Sequence, residues 1–196
     1  MKPSLSISAG AVTQLCFWYA IDPLDSFFPF LLSMGLHELG HLLALVLTKT
    51  PIGAVRVSAL GCSMQTGVMD YRTEFLCAAA GPLMNLSLLF LFRHRAPMLA
   101  FVNLCLTLFN LLPIWPLDGG RMLRSGLSAL LPVSISERVE KTVSAAVCIL
   151  LCCLAVYFTC FCHLGLWPVL LAGLLIIKTG GSRISEKQVA NLVPSG

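Results

Sequence analysis

Between Phe27 and Thr48 the chain runs through twenty-two residues in which His37, Glu38 and His41 are the only ionisable side chains. A bilayer asks about twenty apolar residues of a spanning helix, and this run meets that length. Ionisable groups at such depth are costly and are generally there for function. On a helix, positions four apart differ by about 40° in azimuth and about 6 Å in height. His37 and His41 therefore leave one face together and can grip a single metal ion. The carboxylate of Glu38 is then left to work on a water at that metal. The bland alternative is a pair of histidines packed in a helical bundle against Glu38. A metal site makes a demand that this alternative does not, because zinc needs a third protein ligand from another segment.

Composition places the whole chain in the membrane. Of its 196 residues 57% are hydrophobic and 11% charged, with mean hydropathy +0.87. Soluble domains carry about 25% charged residues. A formal charge of +4 is too small to argue for nucleic acid. The start, Met1 to Gly10, is weakly basic, and no small-residue cleavage site of a signal peptide precedes Asp22. Nine cysteines, mostly in apolar runs, read as small reduced packing residues rather than a disulfide framework.

The expected architecture is an all-α polytopic membrane protein of about six transmembrane helices, with a broken fourth helix and a short membrane-associated β-hairpin after the second. The expected spans are 5–21, 27–48, 75–92, 98–131, 143–162 and 164–177, within one domain over 1–178; residues 179–196 form a short polar tail. Ser26 or Asp25 is placed to cap the second span. Residues 52–71 alternate Val55, Val57 and Ala59 with Arg56 and Ser58, which suggests a hairpin. Gly81-Pro82 interrupts the third span. Residues 132–141 read as a separate polar helix at the interface. The fourth segment must break, since Pro113, Pro116 and the pair Gly119-Gly120 cannot continue a helix. In a membrane such backbone survives where it is buried in protein or lines a wet cavity. With six crossings, eleven of the thirteen Lys and Arg fall on the side of the termini, and Arg93 and Arg95 fall on the other. That asymmetry places both termini in the cytoplasm.

Asp118 is the candidate third ligand. It sits beside the backbone break in apolar surroundings, where a lone anion is expensive. An interfacial Asp118 capping the helix that begins near Gly119, helped by Arg121 or Arg124, is the competing account. Residues 52–69, on the cytoplasmic side by the charge count, could take an unwound substrate as an added strand.

Three motifs fall in order: His37-Glu38-Leu39-Gly40-His41, then Ala80-Gly81-Pro82-Leu83-Met84-Asn85, then the run from Asn110 through Pro113, Pro116 and Asp118 to Arg121. Together they resemble the site-2 protease family of intramembrane zinc metalloproteases, and most of all its bacterial sporulation branch. The resemblance covers roughly residues 27–131, and the last two segments match in hydropathy alone. It implies one zinc ion per chain on His37, His41 and Asp118, with Glu38 as catalytic acid/base. Asn110 would position substrate or, equally, tie down the broken helix; Asn85 would be structural near the site. It further implies an integral, multi-pass protein of a bacterial cell membrane. The substrate would be a membrane-embedded or membrane-associated regulatory protein, such as a sigma-factor precursor, cut near the cytoplasmic side. A regulatory membrane partner fits that picture. No inserted PDZ domain separates the motifs, and no CBS domain follows the sixth segment. From another class, a divalent-metal transporter could use the same His37, His41 and Asp118 as a transit site beside the broken helix.

Overall fold

The computed structural model describes residues 4–9, 12–13, 16, 19–20, 22, 25–58, 61–67, 69–161, 169, 172–177 and 179–181. It divides into two compact units, residues 1–111 and 112–196.

The first unit opens with strand β1 (Ser4–Ile7) and continues with helix α1 (Phe27–Leu47). Strands β2 (Ile52–Ser58) and β3 (Gly61–Thr66) follow, then helices α2 (Tyr71–Phe92) and α3 (Pro97–Asn110). Here one expectation is corrected. A span from residue 5 is excluded, because Ser4–Ile7 pairs in parallel with Ala54–Val57 of β2. The alternation Ser4-Leu5-Ser6-Ile7 has the period of a strand, not of a helix. The rest of that expected first span lies largely outside the described residues. β2 also pairs antiparallel with β3, so it is the central strand of three.

Helix α1 has defined ends. The Asp22 carboxylate accepts the Phe27 N–H at 2.7 Å and the Ser26 hydroxyl at 2.8 Å. Asp22 thus does the capping expected of Ser26 or Asp25. At the other end, Lys49 adopts a left-handed φ of 56°. The Thr50 N–H then reaches the Leu45 carbonyl, and the Lys49 N–H the Val46 carbonyl. Those two bonds are the helix-ending pattern that satisfies the last carbonyls, and Pro51 follows.

α1 packs against α2 and α3. Small residues set the spacing: a Cβ on Gly40 would stand 2.8 Å from the Ala80 carbonyl oxygen. Without a hydrophobic drive between helices in lipid, such close approach and buried polar bonds hold the bundle. Asn103 of α3, fully buried, donates to the Ser33 hydroxyl of α1 at 2.9 Å. Pro82 lies inside α2, so the expected interruption is a lost hydrogen bond rather than a break. Leu32, Leu43 and Val46 of α1 and Leu76, Phe90 and Leu91 of α2 are exposed, the pattern of faces turned to lipid.

The second unit begins with the loop that breaks the fourth segment, then helices α4 (Asp118–Ser128) and α5 (Val133–Phe161). Residues 172–177 and 179–181 are also helical. The core joins Ile114, Leu117 and Leu175, with Val147, Cys148 and Leu151 of α5 against them. α5 is one helix where two elements were expected. No Gly or Pro stands between Val133 and Phe161, and Glu137, Arg138, Glu140 and Lys141 in its polar start are good helix formers. Glu137 there pairs with Lys141 at 3.3 Å and with Arg124 of α4 at 2.8 Å.

Three described helices, α1, α2 and α5, are long and apolar enough to cross a membrane. α3 and α4, with 14 and 11 residues, reach about 21 and 16 Å, short of a hydrocarbon core. The expected sixth segment is described only over residues 169, 172–177 and 179–181, and the tail beyond 181 lies outside the described residues.

Candidate metal centre

The two histidines occupy the buried stripe of α1 with Ser33, Gly40 and Leu45. Facing them on α2 is a second stripe spaced by four, Cys77, Gly81 and Asn85, all buried. The helices run antiparallel, so His41 meets Cys77 and His37 meets Asn85. His41 Nδ1 lies 2.7 Å from the Cys77 carbonyl oxygen. A carbonyl can only accept, so Nδ1 carries the proton and Nε2 is left with its lone pair. His37 Nδ1 lies 3.1 Å from Asn85 Nδ2. Both rings are thereby held from behind, the arrangement that orients histidines which ligate metal.

In front, the two Nε2 atoms stand 3.1 Å apart. Two nitrogens on a tetrahedral zinc, each at about 2.05 Å, are separated by roughly 3.3 Å. The pair therefore fits zinc with a shift of a few tenths of an ångström. Gly81 makes room for it: a Cβ there would collide with His41 Nε2 and come within 2.7 Å of His37 Cε1. Glu38, between the ligand positions in sequence, is half-buried.

In the second unit Asp118 is the first residue of α4 and is 7% exposed. Its carboxylate sits where the helix dipole favours negative charge, 4.0 Å from the Arg121 guanidinium. Two contacts fix the loop that delivers it. A Cβ on Gly120 would stand 2.6 Å from the Ile114 carbonyl oxygen, so the first turn of α4 lies hard against residues 114–115. On the other side, the Ser144 hydroxyl of α5 accepts the Trp115 N–H at 3.1 Å and donates to Glu140 at 2.6 Å. Ser144 and Glu140 are each 1% exposed. Replacing Ser144 by Ala strands the Trp115 N–H and takes one donor from the buried Glu140 carboxylate, and is expected to cost about 1–3 kcal/mol. A thermal midpoint in detergent several degrees below that of Ser144→Thr checks it.

His37 and His41 in the first unit and Asp118 in the second are each buried donors of a kind that can hold a metal ion. Asn110 spends its amide N–H on the Leu106 carbonyl at 3.0 Å, at the end of α3. Asn85 is fully buried and faces a histidine, a closer part in the site than its sequence position alone conveyed. The parts that Cys77, Gly81, Gly120, Glu140 and Ser144 play here escaped the sequence reading, although Gly81 and Gly120 stood in its motifs. The spacing of four through Cys77, Gly81 and Asn85 was the available signal for the first two.

Residues 90–154, which carry the Asp118 motif but not the histidines, match the family model described as peptidase family M50. The chain is 33% identical over 136 residues to Stage IV sporulation protein FB of Bacillus subtilis (strain 168). That alignment covers 63% of this chain and 47% of the relative, so the chain spans about half the length of the curated relative it matches. Its fold is similar to that of the site-2 protease from Methanocaldococcus jannaschii, with a TM-score of 0.67 at 19% identity. That likeness covers 92% of this chain and 91% of the other.

Proposed function

We propose that this chain, a relative of the site-2 proteases of peptidase family M50, is an intramembrane zinc endopeptidase. The observation that carries the proposal is the pair of Nε2 atoms 3.1 Å apart in an apolar helix, each ring held from behind and faced by a glycine. His37, His41 and Asp118 hold the ion, one per chain. Zinc, when bound, supplies Lewis acidity that acidifies a water and polarises a carbonyl. Glu38 takes the proton of the attacking water and returns it to the leaving amine nitrogen. Asn110 ends its helix by bonding Leu106, and its carbonyl oxygen and second N–H stay available to the substrate backbone.

The substrate is a membrane-embedded or membrane-associated regulatory protein cut near the cytoplasmic side; likeness to a sporulation protein makes a sigma-factor precursor the first candidate to try. A helix cannot be cut while its carbonyls are bonded within it, so the substrate unwinds locally. β2 has strands on both sides, so strand addition falls to an outer edge of the sheet, at β3 or β1. Support for a cytoplasmic N-terminus comes from β1, which pairs beside the hairpin that the charge count assigns to that side.

Co-expression with membrane-tethered regulators tests the proposal, followed by mass mapping of new termini. Cleavage is expected to vanish in purified protein treated with a zinc chelator and to return on adding zinc. Cleavage that survives complete metal removal would overturn it.

A further inference from the structure

We infer that Asn85 is a positioning residue for His37, acting by presenting its amide oxygen to Nδ1 so that Nε2 is the nitrogen left for metal. The inference rests on the reading of His37 as a zinc ligand and adds what selects the ligating tautomer. The two histidines are not held alike. Behind His41 stands a backbone carbonyl, which enforces one tautomer by itself. Behind His37 stands an amide, and an amide can either donate or accept.

In the structure Asn85 turns Nδ2 toward Nδ1, at 3.1 Å, while Oδ1 is buried without a hydrogen-bond partner. An NH₂ group facing Nδ1 makes that nitrogen the acceptor and puts the ring proton on Nε2. The proton then points along the 3.1 Å line to His41 Nε2. A nitrogen bearing that proton has no lone pair for zinc. With Nε2 given to the metal, the proton sits on Nδ1 and requires an acceptor. A half-turn of the same amide brings Oδ1 to the place Nδ2 now holds, with no movement of either helix. Which way a buried amide points is set by the hydrogen bonds it can make, and here the metal decides the partner.

Zinc affinity by chelator competition, with elemental analysis and thermal midpoints on the same samples, tests this on the full chain. Asn85→Leu keeps the branching and the number of heavy atoms but offers no acceptor, and should weaken zinc binding about 10–100-fold. Asn85→Ala, free of steric demand, should weaken it similarly. Asn85→Asp offers oxygens alone, fixes the ligating tautomer, and should bind zinc at least as tightly as wild type. Asn103→Leu removes another fully buried amide, bonded to Ser33 and Leu99, and should lower the midpoint without changing zinc affinity. Wild type that holds no zinc would remove the metal reading itself. Wild type that binds while Asn85→Leu and Asn85→Ala stay within about threefold of it would overturn the role of Asn85 alone. Loss in Asn85→Asp equal to that in Asn85→Leu would do the same.

Discussion

A Glu38→Gln protein is expected to bind one zinc per chain as tightly as wild type and to lose cleavage about a hundred- to ten-thousand-fold. Glu38 is not among the proposed ligands His37, His41 and Asp118, so the amide leaves that set whole. The half-buried position of Glu38 also spares the fold, since Gln keeps its volume and loses only the charge. What disappears is the basic oxygen that accepts a proton from water and hands it to nitrogen. The measurement pairs metal content with quantified product termini on the same preparation. Retained zinc with abolished cleavage separates a protease from a transporter, in which zinc flux into vesicles should survive the substitution. Cleavage near wild-type rate would show that another group carries the proton. His37→Ala is the companion, expected to lose metal and cleavage together.

The motif helix was legible because its constraints are local. Length, apolarity and the spacing of His37 and His41 all speak within a single helix, and so does its end at Lys49, Thr50 and Pro51. The break after Asn110 was legible for the same reason, since Pro113 and Pro116 cannot continue a helix whatever surrounds them. Residues whose roles depend on a partner helix were not. Cys77 contributes a backbone carbonyl, which leaves no trace in residue type. Gly81 reads as a helix breaker until the imidazoles opposite are in view. Glu140 lies in a polar stretch that looks interfacial and Ser144 in the apolar run after it, yet both are buried: Ser144 binds the loop before Asp118, and Glu140 accepts from Ser144. At the N-terminus, the short alternation of Ser and Leu or Ile was outweighed by the hydrophobic run that follows it, and the strand was missed.

Gly81→Ala should disable the site without touching a ligand. The helix would welcome the change, since Ala exceeds Gly in helix propensity by about 1 kcal/mol. Opposing this, the new methyl would collide with His41 Nε2 and crowd His37 Cε1. Neither ring can swing aside freely, because His41 is tied to the Cys77 carbonyl at 2.7 Å and His37 to Asn85 at 3.1 Å. The cost of overpacking, about 1–3 kcal/mol, therefore falls on the orientation of the ligands. Zinc affinity is expected to drop at least about tenfold and cleavage with it, and Gly81→Val should be worse than Gly81→Ala. Gly35→Ala supplies the control, on the same helix as the histidines and with open space around its Cβ. There the propensity gain stands unopposed, so the thermal midpoint should hold or rise while zinc binding stays at the wild-type level. If Gly81→Ala bound zinc as tightly as Gly35→Ala, the close fit of α2 against the two rings would not be what shapes the centre.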